Sequence, residues 1–323
     1  MFSIGLYLSS KKYWACDRMR ELPLTIENVV EHSSPQVGLA VLGHPINHSI
    51  SPILHHAALE NLASTEPSFA DWTYERFDVK PENLEVALNR LSKSGYLGLN
   101  LTIPHKVEVL GLLNGLDREA SLIGAVNTLI FRDGEWYGQN TDGYGLQKAL
   151  ENELNCNLAG SQILILGAGG AARAAAVQSL LAGARNVHIH NRSFDRLNDL
   201  LNLLSNEFDG GQMSGSTPDD VRCEDFIGQN WIIINATSLG LNAMDSSPLF
   251  MSCSEFGKET VVYDMIYNPP QTSLLTEAEK AGYKCANGLS MLIYQAAKSL
   301  EIWTDRAIAA EAMFEAANNH FRA

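Results

Sequence analysis

A glycine-rich turn lies near the middle of the chain, in "ILILGAGGAARAA" (163–175). Gly167, Gly169 and Ala172 have G-x-G-x-x-A spacing, after a strand-like apolar run and before an alanine-rich helical run. In that context the first glycine permits a tight turn, the second lets the backbone approach a pyrophosphate, and a small third residue allows close helix–strand packing. The helix N-terminus supplies amide donors to phosphates. The spacing therefore predicts a dinucleotide site.

The tip of the next predicted strand indicates which dinucleotide is bound. A site that prefers NAD usually carries Asp or Glu about 20 residues beyond the turn, where it binds the ribose 2′-hydroxyl. Here the tip carries an amide, a guanidinium and a hydroxyl, with a second guanidinium one helical turn later: Asn191, Arg192, Ser193 and Arg196. These groups suit a 2′-phosphate, so the sequence predicts NADP. Asp195 is the opposing feature, and we expect it to face solvent.

A lysine and an aspartate precede this turn, Lys106 in "NLTIPHK" (100–106) and Asp142 in "GQNTDG" (138–143). Reduction of a ketone by hydride needs a proton donor at the oxygen, and a lysine in a partly desolvated cleft can supply it. A carboxylate orients such an ammonium, although it opposes the fall in pKa that burial causes. The sequence leaves open which effect is larger. Lys106 follows a strand, at the sheet edge where open α/β proteins bind ligands.

Neutral hydroxyls and amides recur at the ends of the neighbouring predicted strands and turns. They occur in "HPINHSISP" (44–52), in "NLT" (100–102), in "AVNT" (125–128) and in "QNTD" (139–142). Each stretch alone is typical of a turn or a helix cap. Their recurrence with little fixed charge indicates a substrate rich in hydroxyls, with a carboxylate that serine hydroxyls bind.

The histidines do not predict a metal site. His55 and His56 are adjacent and so point in different directions on a helix, and no carboxylate accompanies them at the spacing of a zinc site. We therefore expect no metal.

Short apolar runs alternate with helical patterns from residue 37 onward. Strands are predicted at 37–43, 72–79, 96–102, 162–167, 186–191, 231–235 and 261–265, with a hairpin over 124–140 at Asp133-Gly134. Helices are predicted at 51–62 and 81–93, after Asp142, from the glycine-rich turn through 182, from about 194 and beyond Gly288. The first half predicts an α/β domain with a mixed sheet, and the second a Rossmann-type doubly wound parallel sheet. The Gly/Ser/Asp-rich stretch 206–220 is interpreted as a surface loop.

Composition limits the class of protein. A chain of 323 residues suits two domains, and a net charge of -14 argues against nucleic-acid or anionic-membrane partners. Five scattered cysteines without a C-x-x-C pair indicate free thiols and a cytoplasmic protein. No apolar run is long enough for a membrane span. The start, residues 1–36, is interpreted as an extension rather than a signal peptide, with Met19 as an alternative first residue.

Nine stretches, in order, carry a resemblance to the shikimate/quinate dehydrogenase family: "NHSISP", "NLTIPHK", "GAVNT", "NTDG", "GAGGAARA", "NRS", "NATSLG", "DMIYNP" and "GLSMLIYQA". The similarity runs from about residue 37 to the C-terminus, and the extension is the departure from it. The resemblance implies reversible, NADPH-dependent reduction of 3-dehydroshikimate to shikimate, in the biosynthesis of chorismate and aromatic amino acids. It implies that the C-terminal helices return to the first domain. The expected division is an extension (1–36), a substrate domain (37–141 with 288–323) and an NADP domain (142–287).

The resemblance also implies residue roles. The catalytic pair would be Lys106 and Asp142. The substrate carboxylate would be bound by Ser49 and Ser51, and the ring hydroxyls by Asn100, Thr102, Asn127, Asp142 and Gln295, with Tyr267 near the substrate. The cofactor would contact the turn and the strand tip: Gly167, Ala168, Gly169, Gly170, Ala171, Asn191, Arg192, Ser193 and Arg196. Its nicotinamide side would be lined by Thr237, Ser238, Met265 and Gly288.

Three alternative functions compete with this interpretation. A quinate or dual quinate/shikimate dehydrogenase would use NAD, which the basic strand tip disfavours. A nucleotide-binding sensor without activity would be expected to lack Lys106 or Asp142, and both are present. A methylenetetrahydrofolate-type dehydrogenase would lack the paired serines. The sequence allows a monomer or a homodimer formed through the edge strand of the first domain.

Overall fold

The computed structural model describes residues 22–28, 37–242 and 244–322. Most of the interpreted extension, with Cys16 and Met19, lies outside these residues. The strands in the described part of the chain are β1 Gly38–Gly43, β2 Thr73–Asp78, β3 Tyr96–Leu101, β4 Gly115–Leu116, β5 Thr128–Arg132, β6 Glu135–Gln139, β7 Gln162–Leu166, β8 Asn186–His190, β9 Met213–Ser216, β10 Ile232–Asn235, β11 Val261–Asp264 and β12 Lys284–Asn287. The α-helices there are α1 Ser51–Thr65, α2 Leu84–Lys93, α3 His105–Glu108, α4 Arg118–Ile123, α5 Asp142–Leu154, α6 Gly170–Leu181, α7 Phe194–Ser205, α8 Ser273–Ala281, α9 Leu289–Thr304 and α10 Glu311–Arg322.

The first sheet is mixed, as the sequence predicts. Its strand order is β2-β1-β3-β5-β6-β4, with β1 parallel to both neighbours and β5 antiparallel to β3 and β6. Asp133 and Gly134 have φ of 53° and 82°, the left-handed conformation that a two-residue hairpin turn requires. The sheet therefore brings the ends of β1 and β3 to the same edge as the start of β5.

The second sheet is parallel and doubly wound, which confirms the predicted fold class. Its order is β12-β11-β10-β7-β8-β9, so β7 lies between β10 and β8. The strand order reverses at this point, and a crevice opens beyond the carboxyl ends of the strands there. The glycine-rich turn follows β7 directly and therefore lies at the crevice.

The prediction of a surface loop over 206–220 is wrong in its middle. Met213–Ser216 forms β9, which pairs parallel with β8 at the edge of the second sheet. Glycine and serine have low strand propensity, so the sequence gives no strand signal here. The edge strand forms because its small residues fit closely: a Cβ added at Gly215 would lie 2.8 Å from Leu197 Cδ1 of α7.

Part of the interpreted extension packs on the first sheet. The Leu24 amide donates to the Arg76 carbonyl at 2.9 Å, and the Leu24 carbonyl accepts from the Asp78 amide at 2.8 Å. Ile26 is buried beside the core under β2. Residues 22–28 therefore cover part of the β2 edge. This contact was not predicted, because residues 1–36 show no clear hydrophobic periodicity.

The C-terminal helices return from the second sheet to the first. Ile293, Leu300 and Trp303 of α9 share one core with Leu39 of β1 and Tyr74 of β2, and the Trp303 indole donates to the Leu129 carbonyl at 2.8 Å. On these contacts we propose the division expected from the sequence, with residues 37–141 and 288–323 in one domain and 142–287 in the other.

Gly145 allows α5 and α9 to approach closely where the two proposed domains join. A Cβ at Gly145 would lie 2.6 Å from the Met291 carbonyl oxygen and 3.0 Å from the Gln295 amide nitrogen, and both are backbone atoms. We expect Gly145→Ala to lower the free energy of unfolding by roughly 1–3 kcal/mol, because the helices must separate. Urea unfolding measures this. Gly111→Ala is the control, since a Cβ there meets no atom within 4 Å. Equal unfolding midpoints for the two variants would contradict the close approach.

Candidate active site

Lys106 and Asp142 meet at the edge of the first sheet. Lys106 lies in the first turn of α3, directly after β3, and Asp142 is the first residue of α5, after β6. Lys106 Nζ donates to Asp142 Oδ2 at 2.6 Å, and the two side chains are 26% and 10% exposed. A negative charge at a helix N-terminus is favoured by the helix dipole. The pair is therefore held in place and is open to solvent on the lysine side.

The second oxygen of Asp142 is held by Asn127. Asn127 Nδ2 donates to Asp142 Oδ1 at 2.9 Å and also lies 3.1 Å from Gln295 Oε1 of α9. The Asp142 amide donates to Asn140 Oδ1 at 3.0 Å, and Asn140 Nδ2 donates to the Ala125 carbonyl at 2.9 Å. These bonds fix the direction of the carboxylate and bring residues far apart in sequence to one point.

Asn100 is placed beneath this cluster. It is 6% exposed, and its Oδ1 accepts from the Tyr74 hydroxyl at 2.7 Å. Its Nδ2 donates to the Asn127 carbonyl at 3.1 Å and to Ser299 Oγ at 3.0 Å. The structure thus gives Asn100 a supporting role for Asn127. Its direct hydrogen bond to a substrate hydroxyl stays a prediction, as does that of the partly exposed Thr102.

The two serines lie together at the start of α1. Ser49 Oγ donates to Ser51 Oγ at 3.2 Å and accepts from the Ser51 amide at 3.3 Å. Pro52 occupies the first turn of the helix, where its missing amide proton costs nothing. Two hydroxyls at the N-terminus of a 15-residue helix suit a carboxylate.

The glycine-rich turn has the shape that a pyrophosphate needs. Gly167 has φ of 111°, a conformation that favours glycine, and its amide donates to the His190 carbonyl of β8 at 2.8 Å. Gly169 and Gly170 are exposed at the start of α6, and a Cβ on either would meet no atom within 4 Å. Ala172 is fully buried against the core. These features fit a dinucleotide, with Ala168 and Ala171 beside the glycines.

The tip of β8 presents both arginines to solvent. Asn191 Nδ2 donates to the Ser193 carbonyl at 2.8 Å, and the Ser193 side chain caps α7 by accepting from the Arg196 amide. The side chains of Arg192, Arg196 and Asp195 are exposed. The arrangement leaves two guanidiniums at the strand end where an adenosine 2′-phosphate would lie.

The residues predicted to line the nicotinamide side follow the ends of β10 and β11. Asn235 is fully buried, and its Oδ1 accepts from the Thr237 hydroxyl at 2.7 Å, while its Nδ2 donates to Asp264 Oδ1 at 2.9 Å. Burial raises the pKa of Asp264, while hydrogen bonds from Thr272, Ile266 and Asn235 act in the opposite direction. Ser238 follows on the surface. The loop that carries Thr237 is therefore anchored from below.

Met265 and Gly288 meet where α9 begins. A Cβ at Gly288 would lie 2.0 Å from the Met265 carbonyl oxygen, so only glycine fits. Tyr267, three residues before Pro270, packs against the core cluster that contains Ile50 and Leu54 of the first domain. Burial raises the pKa of the Tyr267 phenol. Its place near the substrate stays a prediction.

Sequence reasoning missed several residues that support the site. Four buried residues are bonded to predicted site residues, namely Asn140, Thr128, Ser299 and Tyr74, as is Asn235 on the proposed cofactor side. Asn140 carried a signal, because an asparagine two residues before a helix start often caps it. In the part of the chain that the structure describes, no group of three His, Cys, Asp or Glu residues could hold a metal, and no helix is long and apolar enough to cross a membrane.

Comparison with known proteins identifies the family. The profile of the shikimate dehydrogenase substrate binding domain matches residues 41–129, and that of the shikimate 5'-dehydrogenase C-terminal domain matches residues 288–317. The shikimate dehydrogenase (NADP(+)) of Methanopyrus kandleri is 38% identical over 300 residues, 93% of this chain and 100% of that protein. The chain belongs to the shikimate dehydrogenase family.

Solved structures of the shikimate dehydrogenase family and its neighbours have the same fold. Shikimate 5-dehydrogenase from Thermus thermophilus, in complex with NADP(H) and shikimate, is 33% identical with a TM-score of 0.74, over 88% of this chain and 99% of that one. A ligand-free 5-ketofructose reductase of Gluconobacter is 32% identical with a TM-score of 0.75, over 88% and 98%. The fold is therefore shared by proteins that are named for different substrates.

Proposed function

We propose that this protein is a shikimate dehydrogenase that reduces 3-dehydroshikimate to shikimate with NADPH, and catalyses the reverse reaction with NADP+. The observation that carries the proposal is the contact of 2.6 Å between Lys106 Nζ and Asp142 Oδ2. The homologues with this name in Methanopyrus kandleri and Geobacter metallireducens support it. A cytoplasmic location is part of the proposal and agrees with the free thiols of Cys156, Cys223, Cys253 and Cys285.

The proposed mechanism assigns one task to each group of side chains. The bound cofactor supplies or accepts the hydride at the reacting ring carbon. Lys106 Nζ gives a proton to the emerging oxygen in reduction and takes it from the hydroxyl in oxidation. Asp142 orients the ammonium and accepts a hydrogen bond from the same hydroxyl. Asn127 and Gln295 hold neighbouring hydroxyls, and the Ser49–Ser51 pair holds the carboxylate.

The groups proposed to bind NADP lie along the crevice of the second sheet. The exposed amides of Gly169, Gly170 and Ala171, at the start of α6, face the pyrophosphate. Arg192 and Arg196 pair with the 2′-phosphate, because two guanidiniums form charge-assisted hydrogen bonds to its oxygens. The nicotinamide side is lined by Thr237, Ser238, Met265 and Gly288. Water is excluded when the two domains close on the ligands.

The competing functions differ in substrate and cofactor. Quinate carries one more hydroxyl than shikimate, at the carbon that bears the carboxyl group. NAD lacks the 2′-phosphate that two arginines at the strand tip would bind. Steady-state rates with shikimate, quinate and 5-ketofructose as reactants, each with the matching form of NADP and of NAD, separate these possibilities. We expect the highest kcat/KM for shikimate with NADP+. Faster turnover of quinate with NAD+, or of 5-ketofructose with NADPH, or no turnover at all, would overturn the proposal.

A further inference from the structure

One face of β2 holds three polar side chains, which bond to β3 and to the loop between β1 and α1. Tyr74, Arg76 and Asp78 alternate along the strand and so point to the same side of the sheet. Phe77, on the other face, packs into the core beneath the sheet. No residue of β2 was predicted to contact substrate or cofactor, yet each of these three side chains bonds to a neighbouring element.

Tyr74 and Asp78 hold the two ends of this arrangement. The Tyr74 hydroxyl donates to Asn100 Oδ1 at 2.7 Å, and Asn100 in turn supports Asn127. Asp78 Oδ1 lies 2.5 Å from His44 Nδ1, at the beginning of the loop that leads from β1 to α1. The face of β2 thus anchors the amide cluster at one end and the start of the serine loop at the other.

Arg76 lies between them and holds the serine loop itself. Its Nη1 donates to the Asn47 carbonyl at 2.7 Å and approaches the Ser49 carbonyl at 3.3 Å. The backbone of this loop makes one short-range bond of its own, from the Ser49 amide to the Ile46 carbonyl at 3.1 Å. A guanidinium is suited to this task, because its planar array of donors can satisfy two carbonyls at once.

The position of Arg76 also puts a positive charge near the serine hydroxyls. The carbonyl oxygen and the side-chain oxygen of one serine lie within about 5 Å of each other by covalent geometry. A carboxylate on the Ser49 and Ser51 hydroxyls would therefore lie close enough for the Arg76 guanidinium to attract it. The guanidinium is partly buried, and salt screens partly buried charges less than exposed ones.

We propose that Arg76 is a positioning and specificity-determining residue for the substrate carboxylate. It fixes the main chain of the Ser49–Ser51 loop through two carbonyl contacts and attracts the negative end of the substrate. The inference rests on the proposed function, because it assumes that the serine pair receives the carboxylate of shikimate. It assigns Arg76 no part in hydride or proton transfer.

The test compares Arg76→Gln and Arg76→Lys with the wild-type protein. We expect R76Q to raise the KM for shikimate roughly 5- to 30-fold, with kcat within about threefold of wild type and the KM for NADP+ unchanged. R76K keeps the charge and should recover most of the affinity. The Ki of shikimate methyl ester, which lacks the negative charge, should change less than the KM of shikimate in R76Q. Higher ionic strength should raise the KM of the wild type more than that of R76Q.

Arg132→Gln is the matched control, because Arg132 lies at the hairpin end of β5, four residues from the pocket end of that strand. It should leave the KM for shikimate unchanged. The inference is overturned if wild-type protein oxidises shikimate but R76Q has the same KM, or if the KM values for shikimate and NADP+ rise together. It is also overturned if the ester is affected as much as shikimate, which would indicate general loosening of the pocket. Absence of shikimate oxidation in the wild type overturns the proposed function, and the inference with it.

Discussion

Lys106→Ala is expected to lower kcat for shikimate oxidation roughly 10²–10⁴-fold, the usual effect of removing a positioned acid–base group. Lys106 Nζ is the cation that lies 2.6 Å from Asp142 Oδ2. In the variant, no lysine amine is present to accept the hydroxyl proton, and so become an ammonium, while hydride leaves the ring. Steady-state rates at saturating shikimate and NADP+ measure the loss. The dissociation constant of NADPH, from its fluorescence, should stay within about twofold, because Lys106 follows a strand of the first sheet and the predicted NADP-binding turn follows a strand of the second.

Lys148→Ala is the matched control for that variant. Lys148 is also paired with a carboxylate, Glu151 Oε2 at 2.8 Å, but it lies six residues further along α5 than Asp142. We expect K148A to keep wild-type turnover. Asp142→Asn preserves the shape of the second member of the pair and removes its charge, so it should also slow turnover. K106A with near-normal kcat would refute the catalytic role of the lysine.

The double variant Arg192→Gln with Arg196→Gln is expected to lower kcat/KM for NADP+ by about 10²-fold and to leave kcat/KM for NAD+ nearly unchanged. Each guanidinium would make a charge-assisted bond to the 2′-phosphate, which NAD+ lacks, and bonds to charged groups contribute about 1.5–3 kcal/mol each. The low end of that range applies because both side chains are exposed. Steady-state kinetics with each dinucleotide at fixed shikimate measure the change in preference.

Arg185→Gln is the control for the double variant. Arg185 is also an exposed arginine, but it lies just before the first residue of β8, at the end of the strand away from Arg192. It should change the kinetics with neither cofactor. If the double variant lost activity with NADP+ and NAD+ equally, the arginines would serve the fold or the common part of the dinucleotide, and the assignment to the 2′-phosphate would fail.

The regular elements were predictable because periodicity and turn residues are local signals. The run over 37–43 predicts β1, which the structure forms as Gly38–Gly43, and Ser51 with Pro52 marks the start of α1. The hairpin at Asp133-Gly134 has the predicted position as well. In each case one short stretch contains the information, so no distant contact is needed to interpret it.

The elements that the sequence did not predict depend on contacts between distant residues. The strand β9 forms because Gly215 fits under Leu197, and neither residue has a strand signal. Residues 22–28 form a single bridge to β2 rather than a periodic element. Lys106 and Asp142 were predicted as neighbours on their residue types and on the family resemblance. The alternation of side chains along a strand puts Arg76 and Tyr74 on one face of β2. It does not predict which loop packs against that face.

A crystal structure of the ternary complex with shikimate and NADP+ tests the central claim most directly. The claim is that the ammonium of Lys106 and the carboxylate of Asp142 share one ring hydroxyl while the serine pair holds the carboxylate. We predict one shikimate hydroxyl within about 3.2 Å of both Lys106 Nζ and an Asp142 oxygen, with the carboxylate on Ser49 and Ser51. Shikimate bound with its carboxylate on Lys106, or with no hydroxyl near the pair, would contradict the account.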